Sequence, residues 1–193
     1  MGIEYELKYR ATKEVLLAIR QSFPGDDRLI DMETTYYDTP SGALSARWYT
    51  LRRRLENSLS VCTLKAPAPG LGRGEWELAC DSIADAVPLL CKLGGPKDLL
   101  TLTAEGLIPV CGARFQRIAK TITLPDCTVE LALDSGILFG GGREIPLCEA
   151  EVELKAGTPE ACAAFARTLA ASFHLQPETH SKFRRALALY QGA

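Results

Sequence analysis

The feature of this sequence that most limits its fold is an alternation of charged and apolar residues that recurs along the chain. The first segment, EYELKYR, places Glu4, Glu6 and Lys8 at alternate positions, with Tyr5 and Leu7 between them. Successive side chains of a β-strand point to opposite faces, so this pattern predicts a strand with one charged and one apolar face. On a single strand the charged face would be expected to contact water, since antiparallel sheets commonly have one solvated side.

The same alternation returns in later segments, and eight strands are predicted in all. After the opening strand they are LIDMETTYYDT, WYTLRRRLE, LSVCTLKA, RGEWELAC, ARFQRIAKTITL, CTVELALDS and LCEAEVELK. Helices are expected after Thr12, irregularly through residues 82–107, and from Thr158 and Thr179 near the end of the chain. No low-complexity tract or clean linker divides the sequence, so residues 1–193 are predicted to form one domain.

A run of charged strand faces, each backed by apolar residues, must bring its charges to a common place. If every charged face met bulk water, the sheet would be a slab with one side made almost entirely of carboxylates and guanidinium groups. We therefore predict an α+β fold in which an eight-stranded antiparallel β-barrel, flanked by helices, encloses a charged tunnel. The residues assigned to the tunnel lining are Glu4, Glu6, Lys8, Arg52, Arg54, Lys65, Arg73, Glu75, Glu77, Arg117, Glu130, Asp134, Glu149, Glu151 and Glu153.

The chemistry of this lining indicates a polyanion bound together with metal. Buried charges are tolerated when they are paired or bound to ions, and the lining contains both signs. Basic side chains bind phosphate oxygens, whereas carboxylates are ligands for hard divalent cations such as Mg²⁺. Arg53 and Arg114 have the opposite parity to Arg54 and Arg117, and they are predicted to lie on the outer surface.

Bulk composition excludes several other classes of protein. A net charge of -2 and a pI near 5.8 create no general basic field, so nucleic acid is not expected as a partner. No run approaches the roughly 20 apolar residues of a membrane span, so no membrane is expected either. Seven scattered cysteines without a CxxC pair indicate reduced thiols and a cytoplasmic location. With only two histidines present, metal or acid–base chemistry must depend on carboxylates, lysines and arginines.

Several motifs resemble, in order along nearly the whole chain, those of CYTH domains, the triphosphate tunnel metalloenzymes. Glu4-x-Glu6-x-Lys8 is similar to the ExExK signature of that family. The pieces that follow in matching order are YYDTP, LRRR, TLK, RGE, VELALD, CEAEVELKAG and SKFRRAL. Bacterial inorganic triphosphatases resemble the chain most, through their LRxR spacing, their ExExEL strand and the SK pair that begins the last helix.

The resemblance implies a tunnel that binds a triphosphate and cleaves it with Mg²⁺ or Mn²⁺. Read with charge and strand parity, it assigns metal binding to Glu4, Glu6, Glu149, Glu151 and Glu153. The side chains expected to contact phosphate are Lys8, Arg52, Arg54, Lys65, Arg73, Arg117 and Lys182. Glu75, Glu77, Glu130 and Asp134 are expected to support them. Catalytic roles are expected for Glu4, Glu6, Lys8 and Lys65.

The predicted function is metal-assisted hydrolysis of a linear triphosphate, most simply inorganic tripolyphosphate, by a water that attacks the terminal phosphorus. Ordinary salt bridges are the alternative for the lining carboxylates, and a solvated helix face is the alternative for Lys182. Two other functions stay open: an organic-triphosphate enzyme, such as a thiamine triphosphatase or class IV adenylate cyclase, and a non-catalytic polyphosphate or nucleotide sensor. An organic substrate would need a platform at the tunnel mouth, for which Trp48, Tyr49 and Trp76 are candidates, although Trp76 has outward parity and the other two lie near a strand end. A small-molecule triphosphate is the expected partner, and a homodimer stays an open alternative.

Overall fold

One antiparallel sheet organises the molecule, for which a computed structural model describes residues 5–67 and 73–192. Within this part of the chain the sheet has nine strands: β1 (Glu6–Arg10), β2 (Arg28–Asp38), β3 (Thr50–Glu56), β4 (Leu59–Pro67), β5 (Arg73–Ala79), β6 (Ile108–Thr123), β7 (Cys127–Gly140), β8 (Arg143–Gly157) and β9 (Gln176–Pro177). Hydrogen bonds place them in the order β5-β4-β3-β2-β6-β7-β8-β1-β9. All eight predicted strands are present, and the two-residue β9 is a ninth that the alternation does not reveal.

Helices flank the sheet, and local capping explains where they begin. They are α1 (Lys13–Ser22), α2 (Ala43–Ala46), α3 (Ile83–Lys92), α4 (Leu99–Leu102), α5 (Pro159–Ser172) and α6 (Lys182–Gln191), with a 3₁₀ turn at Thr103–Glu105. The hydroxyls of Thr12, Ser82, Thr158 and Ser181 each accept a backbone N–H three residues ahead. The last helix therefore begins at Lys182 and not at Thr179, because Ser181 is the residue that caps it. Among the described residues, no helix has both the length and the apolar character needed to cross a bilayer.

The apolar strand faces are covered by helices, as the alternation predicts. Leu131 of β7 and Val152 of β8 are buried in one cluster with Ile19 of α1 and Leu169 of α5. Trp76 of β5, predicted to point away from the tunnel, is buried among residues of β4 and α3. Each large apolar side chain buried in this way contributes about 1.5–3 kcal/mol to folding relative to its exposed state.

Strand register brings the charged residues to one face of the sheet. Directly opposed residues in an antiparallel pair project to the same side, so each cross-strand pair extends that face to the next strand. The pairs on it include Glu6 with Glu153, Lys8 with Glu151, Glu149 with Asp134, Asp134 with Arg117, and Lys65 with Glu75. The predicted parity of these residues is confirmed, and we call this side the inner face.

The sheet curls strongly around its inner face. Glu6 of β1 and Lys65 of β4 line the same cavity, although five strands lie between theirs in the sheet order. Hydrogen bonds between the described residues do not join β5 to β1. Within these residues, strand pairing therefore does not close the sheet into a barrel.

Part of the inner face is apolar, and α6 packs on it. Met32 of β2 and Phe115 of β6 are opposed in register, and they are buried together with Phe183 and Ala186 of α6. The inner face therefore has a charged region next to the N-terminus of α6 and an apolar region under its middle.

Candidate active site

A small cavity of about 120 Å³ lies between the inner face of the sheet and the first turn of α6. Tyr36, Thr50, Ser181 and Phe183 supply its uncharged wall. Six cationic and two acidic side chains complete it: Lys8, Arg52, Arg54, Lys65, Arg117 and Lys182, with Glu6 and Glu151. Such an excess of cations around an enclosed space attracts a polyanion, because buried charge is stable only when it is compensated.

Two arginines of β3 enter this cavity without strong partners. The side chains of Arg52 and Arg54 are only 12% and 14% exposed. The Nε atom of Arg52 is buried and has no hydrogen-bond partner within the described residues, and its Nη2 lies 3.7 Å from the Glu75 carboxylate. Arg54 donates longer bonds to Thr34 Oγ1 at 3.3 Å and to Glu56 Oε1 at 3.4 Å. Burial and the neighbouring Arg52 charge lower the pKa of Arg54.

Two lysines reach the cavity from opposite parts of the sheet. Lys8 Nζ lies 3.7 Å from Glu6 Oε1, and Lys65 Nζ lies 3.4 Å from Glu75 Oε1. Both side chains keep about a fifth to a quarter of their surface exposed, at 21% and 25%. Since an ammonium group is a compact charge on a flexible stem, both groups can follow the oxygens of an anion in the cavity.

Three buried carboxylates lie beside the cavity, and we call Asp134, Glu149 and Glu151 the acidic cluster. Their oxygen atoms lie within 4.8 Å of one another, a spacing that could hold a metal ion. Register explains the grouping, because Asp134 of β7 lies directly opposite Glu149 of β8. Arg117 of β6 donates two 2.7 Å hydrogen bonds to Asp134 and one 2.5 Å bond to Glu151.

Two residues of α6 complete the charge balance of the acidic cluster. Lys182 Nζ lies 2.9 Å from Asp134 Oδ2, 2.6 Å from Glu149 Oε2 and 2.5 Å from Glu151 Oε1. Arg185 forms an ion pair with the other Glu149 oxygen. With Arg117, three cations therefore oppose three carboxylates.

The ion pairs outweigh the cost of burial for this cluster. Burial alone would raise the pKa of Glu151, but Lys182 and Arg117 lower it well below its usual range. Burial alone would likewise lower the pKa of Lys182, but the Asp134, Glu151 and Glu149 carboxylates raise it instead. Both groups are therefore ionised at neutral pH.

The other predicted residues occupy the edges of the inner face. Glu153 lies opposite Glu6 and accepts an ion pair from Lys155 at 2.7 Å. Glu130 is paired with Arg28 at 2.7 Å, and Glu77 accepts a 2.8 Å hydrogen bond from the Thr63 hydroxyl. Glu4 and the side chain of Arg73 lie outside the described residues. Arg53 and Arg114 lie on the outer face, as predicted: Arg53 donates to Ser60 Oγ at 2.9 Å, and the Arg114 side chain is 56% exposed.

Arg185 is the main charged residue of this region that the sequence analysis does not single out. Its guanidinium joins Glu149 to Glu178, whose Oε2 lies 3.5 Å from Arg185 Nη1 and accepts a 2.6 Å bond from Arg10. The spacing in SKFRRAL contains the signal, because residues three apart on a helix share a face and Arg185 follows Lys182 by three.

A larger cleft of about 930 Å³ adjoins the cavity and shares Lys8, Thr50, Ser181 and Phe183 with it. Trp48, a residue that is 71% exposed, lines this cleft. The cleft that adjoins the charged cavity therefore includes an exposed aromatic ring.

The donor atoms of the site fit a hard divalent cation. The described lining of the cavity contains carboxylates but no histidine or cysteine, which matches the oxygen ligands that Mg²⁺ and Mn²⁺ prefer. Glu6 and Glu151 border the cavity, and Glu153 lies beside Glu6 on the same face.

Comparison with known proteins gives matches over most of the chain. The model of a family described as the CYTH domain matches residues 2–187. An inorganic triphosphatase of Haemophilus influenzae is 30% identical over 159 residues, which are 80% of this chain and 45% of the relative. The chain thus spans about half the length of that curated relative.

Solved structures share the fold at low sequence identity. A candidate adenylyl cyclase from Hippeastrum, described as having a dominant triphosphatase activity, superposes with a TM-score of 0.68 at 17% identity, over 98% of this chain and 96% of that one. A protein from Pyrococcus horikoshii superposes with a TM-score of 0.62 at 21% identity, over 95% and 98% of the two chains. At these identities the likeness shows the fold alone.

Proposed function

Since the chain belongs to the CYTH domain family, we propose that it is a metal-dependent hydrolase that removes the terminal phosphate from a linear triphosphate. Inorganic tripolyphosphate is the substrate we propose. The observation that carries the proposal is the cavity itself, which six cations line and where the buried Nε of Arg52 has no hydrogen-bond partner within the described residues. The acidic cluster balances Arg117 and Lys182, so Lys8, Arg52, Arg54 and Lys65 are the cations that a bound polyanion would meet.

The cavity size favours an inorganic substrate. Pockets that take drug-sized organic ligands usually measure about 300–1,000 Å³, whereas this cavity measures about 120 Å³. Arg52 and Arg54 would bind phosphate oxygens with the several N–H donors of their planar guanidinium groups. Lys8 and Lys65 would bind phosphate oxygens through their single ammonium charges. Arg117 and Lys182 also border the cavity, but their donors already engage the acidic cluster.

Carboxylates on the neighbouring strands would hold the metal. We assign Glu6, Glu151 and Glu153 to it, with Glu4 as a further ligand outside the described residues. Mg²⁺ or Mn²⁺ bound there supplies charge neutralisation at the phosphate oxygens. Phosphoryl transfer depends mainly on positioning and electrostatics, so the arginines and lysines need only orient the chain for in-line attack by water. The anhydride P–O bond breaks as a P–O bond to water forms, releasing orthophosphate and pyrophosphate.

A substrate panel tests this proposal. Phosphate release would be measured from tripolyphosphate, thiamine triphosphate and ATP, each with Mg²⁺, with Mn²⁺ and with EDTA. We expect the highest kcat/KM with tripolyphosphate and no release in EDTA, with recovery when the metal is restored. Full activity in EDTA would contradict the role of metal, and tight binding without turnover would instead indicate a sensor.

A second candidate function is hydrolysis or cyclisation of an organic triphosphate. The observation that favours it is the 930 Å³ cleft, which continues from the cavity and presents the exposed Trp48 ring. A triphosphate in the cavity could place an aromatic base on that ring. Replacing Trp48 by Ala would then raise KM for ATP or thiamine triphosphate and leave tripolyphosphate hydrolysis unchanged. If the variant and the unchanged chain had the same kinetics with all three substrates, this candidate would be ruled out.

A further inference from the structure

The acidic cluster has the composition of a metal site but already contains a cation. Three carboxylates from two strands converge, and the Lys182 ammonium lies within 2.9 Å of an oxygen of each. The Lys182 ammonium donates a hydrogen bond to Glu151 Oε1, whereas its contacts with Asp134 and Glu149 are ion pairs, and Glu149 Oε2 has no hydrogen-bond partner among the described residues. The Lys182 side chain is 8% exposed, which places this ammonium largely inside the protein, at the border of the charged cavity.

The position of Lys182 is set by the fold and not by a flexible surface side chain. The Ser181 hydroxyl accepts the Arg184 N–H and begins α6 directly before it. One turn later Ala186 is fully buried against the inner face, so the first turn of the helix cannot shift without disturbing this contact. The Phe115 ring lies 5.4 Å from Lys182 Nζ and covers another side of the ammonium.

We propose that Lys182 acts as the internal cation of the acidic cluster and excludes a divalent metal from it. The cluster is electrically balanced, with Asp134, Glu149 and Glu151 opposed by Lys182, Arg117 and Arg185. A divalent ion added to this balanced, buried group would leave two uncompensated positive charges, which is strongly unfavourable in an apolar interior. It could enter only by displacing Lys182.

The predicted metal ligands thus fall into two groups. Glu149 becomes a counter-ion that holds α6 to the sheet, because Lys182 and Arg185 engage its two oxygens. Metal binding is left to Glu6 and Glu153 on the open side of the inner face. Glu151 borders the cavity, but Arg117 and Lys182 engage its two oxygens, so it would bind metal only by exchanging one of these partners. This division rests on the proposed function only for the second group, because the exclusion of metal by Lys182 does not depend on any substrate.

Counting bound Mn²⁺ without substrate tests the proposal. The number of ions per chain would be measured by isothermal titration and by electron paramagnetic resonance of free Mn²⁺. In Lys182→Ala the cluster keeps three carboxylates but only two cations, so we expect one additional Mn²⁺ per chain relative to the unchanged protein. Lys182→Arg is the matched control, because it retains the charge and should bind the same number of ions as the unchanged protein.

A second substitution locates the additional ion. Lys182→Ala combined with Glu149→Gln should lose it again, because only two carboxylates remain. Thermal unfolding gives an independent measure: excess Mn²⁺ over EDTA should raise the Tm of Lys182→Ala more than that of Lys182→Arg, since a ligand that binds only the folded state stabilises it.

Several outcomes would overturn the proposal. A folded Lys182→Ala protein that binds the same number of Mn²⁺ ions as the unchanged chain would show that Lys182 does not exclude metal. Should Lys182→Ala fail to fold, Glu149→Gln alone decides the matter: an unchanged Mn²⁺ count supports the proposal, and loss of one ion shows that the cluster already binds metal. Failure of the proposed hydrolase function would affect only the substrate panel, because these measurements contain no triphosphate.

Discussion

Neighbouring arginines on β3 allow a sharp test of the inner face. Arg54 enters the charged cavity, whereas Arg53 lies on the opposite face and donates to Ser60 Oγ at 2.9 Å. Each replacement by Ala removes one guanidinium group, and the two positions are adjacent in the same strand. The two variants should therefore differ strongly in activity and only slightly in stability.

The magnitudes follow from the contacts of each side chain. A hydrogen bond to a charged group contributes about 1.5–3 kcal/mol, so the loss of one or two bonds from Arg54 to phosphate should lower kcat/KM by about 10- to 10⁴-fold. Its own bonds in the protein are long, at 3.3 and 3.4 Å, and the Arg52 charge lies beside it. Arg54→Ala should therefore keep its unfolding free energy within about 1 kcal/mol of the unchanged chain.

Arg53→Ala is expected to lose a little stability and to keep its activity. It loses one shorter bond on the outer face, which should cost about 0.5–1.5 kcal/mol of stability. Its kcat/KM should stay within about twofold of the unchanged chain, since surface substitutions away from a site have small effects. The assays are tripolyphosphate hydrolysis under Mg²⁺ and urea unfolding followed by circular dichroism. Equal loss of activity in both variants would refute the assignment of faces.

Three other predictions test neighbouring parts of the site. Glu6→Gln should lower turnover by at least tenfold because it removes a proposed metal ligand, while its Tm holds or rises because the like charge of Glu153 lies directly opposite; unchanged turnover would show that Glu6 is not a metal ligand. Arg185→Met should cost about 3 kcal/mol in urea unfolding, near the lower end for breaking a buried pair, because Glu149 and Glu178 each keep one other cation; a loss below 1 kcal/mol would contradict this. Burial alone would raise the pKa of Glu178, but the hydrogen bonds from Arg10 and the His180 N–H, together with the charges of Arg185 and Arg10, lower it in the folded protein. Its contribution to stability is therefore present above the unfolded pKa of about 4.3 and is lost as the pH falls through the folded value, so Glu178→Gln should lose stability less steeply between pH 5 and pH 3.

Strand existence and strand parity could be predicted because both depend on local geometry. A period of two in the sequence is the period of a pleated strand, so each alternating segment showed which residues share a face. This local pattern alone separates Arg54 and Arg117 from Arg53 and Arg114, and register confirms the separation. The helix caps Thr12 and Thr158 were also predictable, because a cap bonds to residues only three positions away.

The partners of each charge depended on tertiary structure. From the sequence, Lys182 is expected to contact phosphate, with a solvated helix face as the alternative, and Arg185 is indicated only by its helical spacing from Lys182. Which carboxylates these cations meet was decided by two non-local facts: the β7–β8 register, which sets Asp134 beside Glu149, and the packing of α6 on the apolar part of the inner face. The sequence by itself therefore determined which residues face inward, since a strand's dihedral angles impose that locally. Only the packed structure decided which inward charges neutralise one another and which are left to bind an anion, because charge pairing depends on distances between residues far apart in the chain.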